Sequence, residues 1–192
     1  AAGVSAQGNM LAQPGIPQAM VEAFGAADGD LADRLLSALR AADAAGGDAR
    51  GLLSAALVVA TDERLARPWS RRFDLRVDDA AAPLDGLARV LARSRAYEAL
   101  GEGLHAAREG RLGDGLRATT VAFERAPSDG QVALWHGVLL LAEGQEDAGR
   151  LLLIRTLRRA PGLATFAARS ADADPGSALV PALRKAAELG GR

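Results

Sequence analysis

The chain has 192 residues, of which 49% are hydrophobic and 24% charged, a composition typical of a globular protein and not of a disordered or fibrous one. Its formal net charge of −1 offers no positive field to a polyanion, so we expect no nucleic-acid and no membrane partner. Cysteine is absent, which excludes disulfides, thiolate metal sites and a cysteine nucleophile and fits a reducing, cytoplasmic compartment. We expect no cofactor and no metal.

The first thirteen residues form a short mixed segment with a turn at Gly8-Asn9. Asn9 is a candidate for positioning a substrate. The alternative is that its side chain bonds its own backbone at the end of a strand, as Asn commonly does in turns.

Two helices are predicted next. Pro14 and Pro17 bracket the predicted start of the first helix, and Gly25 ends the apolar stripe that follows. The second helix should span residues 30–45, with Asp30 as its N-cap and Gly46-Gly47 as its left-handed end.

A nearly continuous apolar run follows in Gly46–Ala60, GGDARGLLSAALVVA. Such a run behind a glycine turn predicts a strand buried on both faces. Asp48 and Arg50 lie at the start of this predicted strand and are candidates for positioning a substrate or an oxyanion. The alternative is that the two side chains pair with each other and hold the turn.

A second strand is predicted in Arg71–Asp79, where Phe73, Leu75 and Val77 alternate with charged residues. Alternation with period two indicates one face on a core and one face in water. The ten-residue polar connector 61–70, which contains Pro68 and Trp69, should let the two strands pair antiparallel.

From residue 80 onward the pattern is helical, and it repeats. Pro127 and Pro161 are 34 residues apart, as are Gly103 and Gly137. A period of about 34 residues with two helices per repeat is typical of tetratricopeptide repeats.

The repeat predicts first helices at 96–109 and 130–143, and second helices at 112–126 and 146–160. Helices at 83–95 and 177–189 should cover the two ends. The glycines inside the first helices imply that neighbouring helices approach closely there. Trp135 and His136 are candidates for the binding groove of the repeats, and the alternative is that both belong to the core.

Three motifs in order carry a family resemblance: QGNML at residues 7–11, GGDARG at 46–51 followed by SAAL at 54–57, and DLRVDD at 74–79. With them, residues 1–90 resemble a bacterial domain-of-unknown-function family that looks like an N-terminal-nucleophile hydrolase. Members often carry a C-terminal helical or peptidoglycan-binding extension. The family has Arg where Ala49 stands and Gln near Leu53, which implies a thinner polar lining here.

The resemblance implies an α+β fold: part of an α/β/β/α sandwich in residues 1–82, with two helices and about three strands, then an all-α tetratricopeptide-like domain in residues 83–192. Such hydrolases use the first mature Thr, Ser or Cys as nucleophile. Ala1 has no nucleophilic atom, so this chain is expected to lack the nucleophile and to be inactive by itself.

Three functions follow as hypotheses. The chain is the back half of an amide-bond hydrolase that carries a helical module for a protein or peptide, or it is a non-catalytic tetratricopeptide-type scaffold, or it binds peptidoglycan. A half sandwich leaves sheet edges and an apolar face uncovered. Residues 1–82 are therefore expected to be unstable alone or to form a homodimer.

Overall fold

The computed structural model describes residues 3–60 and 71–191. This part of the chain is mixed α+β and mostly helical, with one small antiparallel sheet of two strands. It divides into two compact units, Ala1–Leu91 and Ala92–Arg192. In chain order the elements are α1 (Ile16–Ala26), α2 (Leu31–Ala44), β1 (Ala55–Ala60), β2 (Arg71–Val77), α3 (Pro83–Arg108), α4 (Leu112–Arg125), α5 (Gly130–Ala142), α6 (Glu146–Arg159), α7 (Gly162–Ala173) and α8 (Val180–Gly190).

The helices α1 and α2 begin and end close to the predicted positions. The Asp30 carboxylate accepts from the backbone N–H groups of Ala32 and Asp33, and the Asp33 carboxylate accepts from the Asp30 N–H, which forms a capping box. At the other end, Gly46 and Gly47 adopt φ values of 113° and 59°. Such positive values favour glycine, which has no Cβ to clash, and they are typical of the residues that end a helix.

The strands pair antiparallel, as predicted, with Leu57 opposite Leu75 and Val59 opposite Phe73. These four side chains are buried, together with residues of α2 and of the N-terminal part of α3, namely Ala32, Leu36, Leu87 and Leu91. The core of the first unit therefore lies on one side of the sheet.

The prediction that β1 is buried on both faces is wrong. Burial alternates along the strand, and Val58 on the outer face is 48% exposed. In place of a third predicted strand, the described residues contain an isolated antiparallel bridge between Leu11 and Asp48. A continuous apolar run does not show which of its side chains lack a covering layer. The predicted connector 61–70 lies outside the described residues.

The second unit confirms the helical period. The helices α4, α5 and α6 coincide with the predictions to within one residue at each end. The stretch 83–109 differs, because the predicted pair of helices is one continuous helix, α3. No proline or glycine interrupts residues 87–100, so nothing in the local sequence ends a helix there.

Each repeated hairpin is tightly packed at a pair of glycines. A Cβ at Gly103 would lie 2.9 Å from the carbonyl oxygen of Gly115, and a Cβ at Gly149 would lie 3.0 Å from that of Gly137. The expected close approach is confirmed: α3 meets α4, and α5 meets α6, backbone against backbone.

The last two helices complete the unit, and α7 was not predicted. The helix α8 begins at Val180, 34 residues after α6 begins at Glu146. It is α8 that makes most of the contacts of this last hairpin with α5 and α6. Ala167, Ala171, Leu183 and Ala186 thereby join the main core around Leu134 and Leu153.

Candidate functional sites

Two backbone hydrogen bonds join the polar turn before β1 to the N-terminal segment. The Ala12 N–H donates to the Gly47 carbonyl at 3.0 Å, and the Ala49 N–H donates to the Met10 carbonyl at 2.8 Å. The N-terminal segment that carries Asn9 therefore runs beside the turn that carries Asp48.

Within that turn, Asp48 and Arg50 form a two-pronged ion pair. The Arg50 Nε donates to Asp48 Oδ1 at 2.9 Å and the Arg50 Nη2 to Oδ2 at 2.6 Å, while the Arg50 backbone N–H also donates to Oδ1. These hydrogen bonds lower the pKa of Asp48 to about 2. The pairing that the sequence left as an alternative is present. Asp48 is thus an ionised hydrogen-bond acceptor and not a general acid near neutral pH.

Asn9 is exposed. The two candidates Asn9 and Asp48 lie on adjoining segments, and Asp48 also lines a cavity of about 300 Å³. Most of that cavity is apolar, with Leu11, Ile16 and Met20 among its walls. Their substrate-positioning role remains a prediction.

A second cavity of about 220 Å³ continues along β1 and shares Met20, Leu39 and Ala56 with the first. It lies between residues 4–6 and residues 56–58, on a floor from α1 and α2 that includes Phe24 and Leu35. We call the two cavities together the β1-edge groove. In the described part of the chain β1 pairs only with β2, so the strand has an open edge there.

A separate groove lies in the second unit. It measures about 260 Å³ and is lined by residues of α3, α5, α7 and α8 and of the loop between the last two helices: Leu104, Arg108, Trp135, Phe166, Ser170, Ala173, Asp174, Ser177, Leu179 and Leu183. We call it the Trp135 groove. The rings of Trp135 and Phe166 meet edge to face at 6.0 Å, and Phe166 remains 37% exposed.

The neighbouring candidate, His136, does not line this groove. It is 8% exposed, stacks on Phe123 at 5.1 Å between ring centroids, and lies 3.3 Å from the Thr119 hydroxyl through Nδ1. Burial lowers the pKa of His136, with Glu124 acting weakly in the opposite direction. Its position indicates a packing role between α4 and α5.

A polar cluster at the start of α5 was missed at the sequence level. Asp129 caps the helix, Arg93 Nε lies 2.8 Å from its carboxylate, and the Tyr97 hydroxyl lies 3.2 Å from the same group. The Tyr97 hydroxyl also lies 3.2 Å from Gln131 Oε1. The signal available was Ser128-Asp129-Gly130 directly before an apolar helix, which is typical of an N-cap.

Residues 1–87 match a protein family described as a family of unknown function, DUF1028. The match covers the motifs that carry the resemblance and ends before the helical repeats. No curated protein and no solved structure matches the chain.

Two further observations bear on the kind of site. Within residues 3–60 and 71–191, no three His, Asp or Glu side chains are grouped so that they could hold a metal ion. Over the same residues, no helix combines the length and the apolar character needed to cross a bilayer.

Proposed function

We propose that the second unit is a peptide-binding module whose site is the Trp135 groove. The observation that carries the proposal is the partly exposed ring of Phe166, which meets Trp135 in an edge-to-face pair, both residues lining a mainly apolar groove. Aromatic side chains in such pockets supply most of the affinity in many protein interfaces. The period of 34 residues supports this function, because stacked helical repeats present a surface of this kind.

The charges at the groove suit a peptide better than a uniformly charged ligand. Arg108 and Asp174 line it together, and neither forms an ion pair with another residue of the described chain. They offer one donor and one acceptor to a peptide backbone, while the aromatic pair takes an apolar side chain. We therefore expect a peptide of mixed polarity with an apolar anchor residue.

The test is a peptide array probed with the whole chain, followed by calorimetry on the peptides that bind. Phe166→Ala should weaken binding at least tenfold, since truncating an interface anchor costs about 2 kcal/mol or more. Leu151→Ala is the matched control, because Leu151 is also apolar and exposed but lies outside the groove. Binding that survives Phe166→Ala, or cosedimentation with peptidoglycan in its place, would contradict the proposal.

A second candidate function concerns the first unit, which we propose to be the back half of an N-terminal-nucleophile amide hydrolase. The β1-edge groove supports it: residues 4–6 and β1 are separated by an apolar slot, and an unpaired strand edge in such a slot suits a further strand. The match of residues 1–87 to a domain family is compatible with a domain of which these residues form one part.

In this second proposal the nucleophile belongs to a longer parent chain, and Asn9, Asp48 and Arg50 position the substrate. The measurement is amide-bond turnover by that parent, compared with a variant in which its first mature Thr or Ser is replaced by Ala. Equal turnover by both proteins would remove the enzymatic function. The first proposal would be unaffected, because its readout is peptide affinity.

A further inference from the structure

Another cavity of the second unit lies beside one face of α6. It measures about 220 Å³ and is lined by Phe123, Pro127, Ser128, Gly130, Ala133, Leu152, Arg155, Thr156, Arg159 and Ala160. None of these residues lines the Trp135 groove. Leu152, Arg155, Thr156 and Arg159 follow the spacing i, i+3, i+4, i+7, so they form one stripe along the helix.

The positive charge on this stripe is not balanced. Arg155 and Arg159 are four residues apart, where like charges repel, and neither forms an ion pair within residues 3–60 and 71–191. Arg150 of the same helix, in contrast, faces Glu146 at 3.8 Å. The lining of the cavity thus includes two exposed arginines and apolar residues, with no Asp or Glu among them.

The threonine of this stripe adds a hydroxyl group to the residues that line the cavity. Thr156 is 7% exposed, and its side chain makes no hydrogen bond within the described part of the chain. Thr119 of α4, by comparison, donates to the Leu116 carbonyl. No fully buried side-chain oxygen of the described residues lacks a partner, so the Thr156 hydroxyl retains some exposure, and Thr156 is one of the residues that line the cavity.

We propose that this cavity binds a carboxylate attached to an apolar group, such as the C-terminal carboxylate of a peptide that ends in an apolar residue. Arginine guanidinium groups donate two parallel hydrogen bonds to a carboxylate, and the Thr156 hydroxyl supplies a third donor. Phe123, Leu152 and Ala160 contact the apolar part. The site is separate from the Trp135 groove and does not depend on it.

The experiment is a titration of the whole chain, followed by NMR at the backbone amides of Gly130 and Thr156. The probes are N-acetylleucine, its neutral amide and inorganic phosphate. We expect saturable shifts with N-acetylleucine and at least tenfold weaker binding of the amide, because the two probes differ only in the charged group. Equal binding of the two, no saturable binding of N-acetylleucine, or phosphate binding as tight as that of N-acetylleucine would overturn the assignment.

Variants locate the site. The double change Arg155→Gln with Arg159→Gln should weaken N-acetylleucine binding at least tenfold, and Thr156→Val should weaken it severalfold while leaving every charge in place. Arg158→Gln is the matched control, since Arg158 lies on α6 but outside the cavity. Unchanged affinity in the double variant, or an equal loss in Arg158→Gln, would contradict the proposal even if binding itself is observed.

Discussion

At the scale of single residues, the partner of Asp48 could be read from the local sequence, whereas the partners of His136 could not. Asp48 pairs with a residue two positions away, so its partner was visible in the sequence. His136 owes its environment to Thr119 and Phe123, which lie on another helix. Only the packing of the helices shows that Trp135 lines a groove with α3, α7 and α8 while the next residue packs against α4.

The first prediction concerns the carboxyl of Asp48. Its pKa of about 2 lies below the ordinary value of 3.8 and is lowered chiefly by the Arg50 side chain. Arg50→Gln should therefore raise the Asp48 pKa toward 3.8, as measured by carbon NMR of the carboxyl group. At pH values above the unfolded-state pKa of 3.8, the ion pair stabilises the turn. This stabilisation is lost as the pH falls from 3.8 toward 2.

Arg76→Gln provides the comparison, since Arg76 pairs with Asp78 instead. That variant should raise the pKa of Asp78 and leave Asp48 unchanged. An Asp48 pKa that does not move in Arg50→Gln would show that the ion pair is absent in solution.

The second prediction concerns His136. Its folded-state pKa lies below the ordinary value of 6.5 because burial disfavours the charged ring. At pH values between the folded-state and the unfolded-state pKa of His136, the unfolded chain binds more protons than the folded chain. The free energy of unfolding should therefore fall as the pH drops below 6.5. Urea unfolding from pH 7.5 to 5 should show this slope, and His136→Gln should reduce it.

His105→Gln is the control for this slope, because the His105 side chain is largely exposed beside Glu109. The free energy of unfolding of His105→Gln should still fall from pH 7.5 to 5, as it does in the wild type. A slope that survives in His136→Gln would assign the effect to other groups.

At the scale of elements, helix starts and stops were largely readable from caps, glycines and the repeat. The capping box at Asp30 and the left-handed Gly46 and Gly47 bound α2 as expected. The continuity of α3 was missed, because the prediction followed the repeat period and set a boundary where no proline or glycine stands. The helix α7, Gly162–Ala173, was missed because it follows the two repeats whose period placed the neighbouring helices.

The third prediction tests the close contact between α3 and α4. Gly103→Ala should destabilise the chain, although alanine in an exposed helix is favoured by about 1 kcal/mol over glycine. The added Cβ would lie 2.9 Å from the Gly115 carbonyl oxygen, which is part of the backbone and cannot rotate away. Urea unfolding of the full chain measures the change.

Gly101→Ala is the matched control in the same helix, because nothing lies within 4 Å of its added Cβ. It should stabilise the chain by up to about 1 kcal/mol. Effects of the same sign in the two variants would argue against backbone contact at Gly103.

At the scale of the whole molecule, the chain combines an α+β unit with a helical unit that has its own core, and among residues 3–60 and 71–191 one edge of β1 is unpaired. The outer face of β1 carries Ala56, Val58 and Ala60, and an apolar face beside an unpaired edge favours association. The homodimer expected from the sequence stays a prediction, and this face of β1 is where we expect it to form.

The fourth prediction is that the isolated chain forms dimers at micromolar concentration through the β1 edge. Val58→Lys should shift sedimentation equilibrium toward monomer, because a lysine on an edge strand disfavours pairing with another chain. Val121→Lys is the matched control, since Val121 is 41% exposed but lies in α4. A wild-type chain that is monomeric throughout would contradict the prediction.

Sequence alone determined the helical period, the capped ends of α2 and the antiparallel pairing of two strands, because each depends on neighbouring residues or on a short connection. Tertiary structure decided which apolar residues are covered. Leu57 and Val58 are adjacent and similar in character, yet only Leu57 is buried in the core with the helices. The packing of the helices likewise forms the Trp135 groove and the cavity lined by Arg155 and Arg159. Each brings together side chains that are distant along the chain.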